Sequence, residues 1–191
     1  MMRSDEALHV LSEVESVRAR TRRALDSSGF PLLVFGVLTL GSVPVGMTAL
    51  SLGAGFYPQI GFYWAVGATI GVVLIAVHYA WRERTSGIGD RATRAAAFTA
   101  TAFAILLGAL TLGLVGDGAT RGFGPQLAIS GGYLLFALLE RRLVVATVAI
   151  VLAVIAVASW LVVGGLKAYV LSALVYAAAL IWAGLVLYRE R

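Results

Sequence analysis

Few side chains in this sequence could do chemistry, and their types and spacing decide which kind. The two histidines, His9 and His78, lie far apart, and there is no cysteine. A protein metal site gathers several nitrogen, sulfur or oxygen ligands, usually in pairs a few residues apart. No such pairing occurs, so no metal and no cofactor is expected, haem included. No acid/base pair and no nucleophile beside a base can be placed, so no catalytic residue is assigned and the chain is not expected to be an enzyme. Hydroxyl and amide chemistry remains. Thr39 and Thr111 hold matching places in two echoed stretches, Gly36-Val37-Leu38-Thr39-Leu40-Gly41 and Gly108-Ala109-Leu110-Thr111-Leu112-Gly113. Gln59 and Gln126 each follow a proline in a second echo, Gly55-Phe56-Tyr57-Pro58-Gln59-Ile60 and Gly122-Phe123-Gly124-Pro125-Gln126-Leu127.

Each of these polar residues has a structural reading and a functional one. A threonine hydroxyl in apolar surroundings bonds the carbonyl one turn back along its own helix; the alternative is a pair of hydroxyls lining a polar path. The glutamine amides would cap free N–H groups at a helix start, or face each other across a pseudo-twofold axis. His78, one turn before Arg82, reads as an interfacial anchor or as a bond to a neighbouring helix. Together Thr39, Thr111, Gln59, Gln126 and His78 are the candidate polar groups at membrane depth.

The elements that carry them follow from composition and pattern. Of 191 residues, 60% are hydrophobic and 13% charged, with a mean hydropathy of +0.90. Soluble domains carry roughly 25% charged residues, so a bilayer is the expected solvent. Apolar runs place spans at about 30–52, 59–81, 95–115, 123–139, 143–163 and 168–188. The fold class expected is all-α, a polytopic membrane protein of six transmembrane helices. These form three hairpins, the first two an internal repeat in one orientation. Pro31, Pro58 and Pro125 suit helix starts, whereas Pro44 is interior. Tyr57, Phe62, Tyr63 and Trp64 read as an aromatic belt at the outer interface, with Lys167 and Tyr169 as further interface markers. Gly67 with Gly71, Ala104 with Gly108, and Ala173 with Ala177 read as small-residue packing faces. No Asp, Glu, Lys or Arg falls inside a span, which argues against a proton-coupled carrier.

Charge sets orientation. Arginine collects before the first span, at 82–94, at Arg141 and Arg142, and at the C-terminus, while the other connections hold Arg121 and Lys167. The positive-inside rule then puts both termini in the cytoplasm of a bacterial cytoplasmic membrane. The net charge of +5 has this explanation, and nucleic acid is not expected as a partner.

Residues 1–29 are expected to form a cytosolic amphipathic helix, and 30–191 the membrane domain. Val10, Val14 and Val17 form an apolar stripe, with Arg18 and Arg22 in the basic second half. Arginines there suit lipid headgroups. The stripe suits a cytosolic regulatory protein or a second copy of the chain.

Several stretches are similar to uncharacterised actinobacterial multi-pass membrane proteins of six helices. They are the arginine-rich start with Ser-Gly-Phe-Pro-Leu-Leu-Val-Phe-Gly-Val-Leu-Thr-Leu at 28–40, Gly61-Phe62-Tyr63-Trp64 with the exit at Arg82, and Gly132-Tyr133 through Leu138-Leu139-Glu140-Arg141. The resemblance implies a membrane protein and transfers no activity. The function expected is a non-enzymatic sensor, scaffold or accessory subunit that docks a partner through its N-terminal helix. The alternative is a small oligomeric transporter or channel for an uncharged or small solute.

Overall fold

The computed structural model describes Val14 and residues 29–52, 57–86, 91–115, 118–139, 143–163 and 165–189. Among these the chain is all-helical: α1 (Gly29–Leu52), α2 (Tyr57–Ser86), α3 (Arg91–Leu110), a π-helical turn (Thr111–Val115), α4 (Gly118–Leu139), α5 (Leu143–Val162) and α6 (Gly165–Arg189). Four of them, Gly29–Leu52, Pro58–Trp81, Leu143–Val162 and Gly165–Arg189, are long and apolar enough to cross a membrane, and Ala100–Val115 is a shorter apolar stretch. At 1.5 Å per residue α1 is about 36 Å long, more than the ~30 Å of a bilayer's hydrocarbon core. Large apolar side chains such as Leu143, Val144, Val154 and Leu161 of α5 point outward. In water they would be a liability, but in lipid they face a matching solvent.

Each helix packs against its neighbours in sequence, and α6 packs on α1 more extensively than any other pair of elements does. That closes the bundle. The α1–α6 contact is antiparallel and glycine-lined. A Cβ on Gly29 would meet the Gly184 carbonyl oxygen at 2.8 Å, Gly36 abuts Ile181, and Gly46 abuts the ring of Tyr169. Small residues bring the two backbones close enough for van der Waals packing to act without help from water, the usual basis of helix association in lipid. Gly67 and Gly71 of α2 turn toward Leu38 of α1, Gly108 of α3 meets Ala128, and Ala173 and Ala177 of α6 are fully buried. Ala104 is exposed.

The helix bounds differ from those read off the sequence. α2 runs on to Ser86 and α3 starts at Arg91, leaving four residues where a longer polar loop is expected at 82–94. Hydropathy marks where a membrane ends, and the backbone has no reason to unwind at that boundary. α4 starts at Gly118, so Pro125 lies inside it, whereas Pro58 is the second residue of α2. Ahead of Pro58 the sequence runs Gly-Ala-Gly; ahead of Pro125 it has Ala119, Thr120 and Arg121, which continue a helix. Pro44 is interior to α1. Near the start of α2, Gly61 and Gly113 of the π turn meet backbone to backbone, with the Pro125 ring against Gly113. An added Cβ on Gly61 would run into the Gly113 carbonyl oxygen.

Candidate functional site

Several interior polar groups gather in a seam, and α6 supplies its spine. Tyr169, Ser172, Ala173, Tyr176, Ala177 and Leu180 are each fully buried. Steps of three and four put them on one helix face. Room for Tyr169 exists because its ring lies between glycines: a Cβ on Gly46 of α1 or Gly122 of α4 would come within 2.8 or 2.9 Å of it. Phe123 closes on the ring edge-to-face, centroids 6.1 Å apart.

The hydrogen bonds then run between helices. Trp64 of α2 donates its indole N–H to the Tyr169 hydroxyl at 3.0 Å. One turn along, Ser172 Oγ lies 2.9 Å from the Tyr169 carbonyl and 3.1 Å from Gln126 Oε1 of α4. Tyr176 donates to the Gln126 backbone carbonyl at 2.7 Å. Its one proton is then committed, so Ser130 Oγ, 2.5 Å from the same hydroxyl, is the donor in that pair. The Tyr176 bond matters because a carbonyl inside a helix has a second lone pair that lipid cannot satisfy. Gln126 Nε2 has no partner in the structure. Rotating the amide would let nitrogen donate to Ser172 and free Ser172 for the Tyr169 carbonyl, but the oxygen would then lack a partner. Either orientation leaves one amide atom of Gln126 unbonded.

The polar residues singled out from the sequence differ in burial. Thr39 is fully buried and bonds the Phe35 carbonyl at 2.7 Å, while Thr111, its counterpart, is exposed at the start of the π turn. Gln126 is fully buried and Gln59 is exposed. The two members of each pair therefore differ in burial. His78 is half-buried and stacks on Phe30 of α1, ring centroids 3.9 Å apart. Of the N-terminal candidates, Val14 is helical and exposed; Val10, Val17, Arg18 and Arg22 lie outside the described residues.

Two aromatic residues read as interface markers are core residues instead: Trp64 and Tyr169 are both 0% exposed. Aromatic residues with polar tips suit a membrane interface, but here the Trp64 indole N–H is satisfied in the interior by the Tyr169 oxygen. Ser172, Tyr176 and Ser130 were missed. The signal that could have found Ser172 and Tyr176 is the stripe of hydroxyl and small residues at steps of three and four along α6.

Among the described residues the buried polar set is Thr39, Ser42, Thr101, Gln126, Ser130 and Ser172, and no charged side chain joins it. Such an interior ties α2, α4 and α6 together. Comparison with protein-family models, with curated proteins and with solved structures found no match.

Proposed function

We propose that the chain is an integral membrane protein of six spans, built as three hairpins with the first two an internal repeat. Both termini lie in the cytoplasm of a bacterial membrane, as in the actinobacterial multi-pass proteins it resembles. It acts as a non-enzymatic sensor, scaffold or accessory subunit, and a cytosolic partner docks on its N-terminal helix. One observation carries this reading: a seam of hydroxyl, amide and indole groups is bonded between helices, and no charged side chain is buried among the described residues. Ion and proton paths rely on ionisable residues held at membrane depth, and a seam of paired hydroxyls holds helices in place. The membrane part is then a platform, and the working surface is its cytosolic side. α3 with its π turn and α4 count as spans because they pack between α2 and α5 and cover 25 and 22 residues.

The stripe of Val10, Val14 and Val17 supplies the docking face. Burying one valine contributes roughly 1.5–3 kcal/mol, and Val14 stands 43% exposed. Purifying the native complex from membranes tests the reading. A cytosolic protein is expected at one-to-one stoichiometry, and Val10→Asp with Val14→Asp should release it while the chain stays inserted. Retention of the partner by that double variant would sink the docking reading. A symmetric oligomer with a water-filled axis and no partner would favour the transporter instead.

A further inference from the structure

Apart from the seam, the bundle holds a space of a different character. Side chains of α1, α2, α3, α4 and α5 line a cavity of about 30 Å³. Phe35, Val72, Ile75, Ala102 and Ile105 form much of its wall. Three hydroxyl-bearing residues, Tyr79, Thr101 and Tyr133, belong to that wall as well, yet the surface it presents is almost wholly apolar. These residues therefore turn carbon to the space and keep their oxygens out of it.

The wall is stiff, which keeps the space from collapsing. Valine and isoleucine in a helix have one strongly preferred rotamer, and they stand at 72, 75 and 105. The Phe35 ring meets Tyr133 edge-on, centroids 6.1 Å apart, and lies against Gly71. Ile105 fits against Gly132, where an added Cβ would collide with it. Ala102 is too short to reach across. Close-packed interiors leave few voids larger than a water molecule, so a space of this size, held open by side chains with little freedom to move, is a preformed site.

We propose that this cavity is a binding site for a small apolar gas of the dioxygen class. The guest is apolar because the wall offers it carbon: an ordered buried water takes about three hydrogen bonds, and apolar cavities stay dry yet accept guests such as xenon. A charged or strongly polar guest would lose its hydration with nothing in return. It is small because the space is that of about two waters, which suits a diatomic molecule and excludes a lipid chain or a drug-sized ligand. The bilayer supplies it, since apolar molecules leave water for hydrocarbon. The proposal does not depend on the docking reading.

The test is methyl NMR of the full chain in nanodiscs, with isoleucine methyls labelled and xenon pressure raised in steps. Ile75 and Ile105 are buried in the cavity wall, whereas Ile70 and Ile150 are exposed and report gas dissolved in lipid. The Ile75 and Ile105 resonances should shift along a saturating curve, and those of Ile70 and Ile150 in proportion to pressure. Dioxygen, which is paramagnetic, should broaden Ile75 and Ile105 beyond the lipid-facing pair, and added xenon should relieve that excess. Ala102→Leu fills the space and should abolish the saturable shift; Ala102→Val, a milder change in the same direction, should weaken it and guards against a leucine variant that folds poorly. Shifts at Ile75 and Ile105 that stay proportional to pressure would overturn the proposal, as would a saturable shift that survives Ala102→Leu. So would dioxygen broadening that xenon does not relieve, or a water or lipid-chain NOE to the cavity methyls, which would mean the space is already filled.

Discussion

Tyr176 is the residue on which the polar seam most depends, because one hydroxyl serves both Gln126 and Ser130. Hydrogen bonds between membrane helices average only about 0.6 kcal/mol, whereas a buried group left without its partner costs about 1–3 kcal/mol. The second figure governs here, since Tyr176→Phe strands a serine and part of a carbonyl in a site closed to water. We expect that substitution to cost about 1–2 kcal/mol, measured by unfolding in bicelles. Tyr169→Phe should behave alike by stranding the Trp64 indole N–H. Thr147→Val, which removes an exposed bond to its own helix, should change stability by no more than about 0.5 kcal/mol. If all three variants unfold together, the seam contributes nothing specific. Gln126 was visible in the sequence because it repeats Gln59, yet its partner Ser172 is 46 residues away. A one-dimensional pattern shows which residues are unusual, but not what lies opposite them.

Helices as elements were legible wherever apolar runs are long, and their ends were not. Periodicity and hydropathy respond to lipid, so they stop at Trp81 while the backbone goes on to Ser86. The two Pro-Gln motifs differ for a related reason. A proline reads as a helix start, and in α4 it stands seven residues past one. The π turn had no sequence signature, because it arises where Gly113 lets α2 come close. That contact makes a sharp forecast. Gly61→Ala puts a methyl group into the Gly113 carbonyl, which is backbone and cannot swing aside, and should lower the unfolding midpoint by several degrees. Gly131→Ala, in the middle of α4 with open space around it, should leave the midpoint unchanged or raise it slightly, since alanine is the better helix former. Equal effects at the two positions would mean the α2–π contact is not tight.

For the whole molecule, the question is which ends face the cytoplasm. The chain has no cysteine, so single introduced cysteines report on topology without background. Thiols at 2 and 87 should be blocked only by reagents that cross the membrane, and thiols at 54 and 119 by impermeant ones. An impermeant reagent reaching position 87 in intact cells would overturn the six-span arrangement. The all-helical, apolar class was readable from composition, because composition answers to the solvent and not to particular partners. The closure of α6 on α1 was not readable: it rests on Gly29, Gly36 and Gly184 meeting across the bundle, and glycines are too common here to point to one another.

That closure also sets a schedule. The most extensive interface joins α1 to α6, with more than a hundred residues between Leu52 and Gly165. At roughly 5–20 residues per second of synthesis, α1 waits on the order of ten seconds for its partner. Throughout that interval its glycine face is turned to lipid or to whatever factor the membrane provides. A ribosome stalled before α6 would therefore leave α1 unlatched, open to proteolysis until α6 arrives.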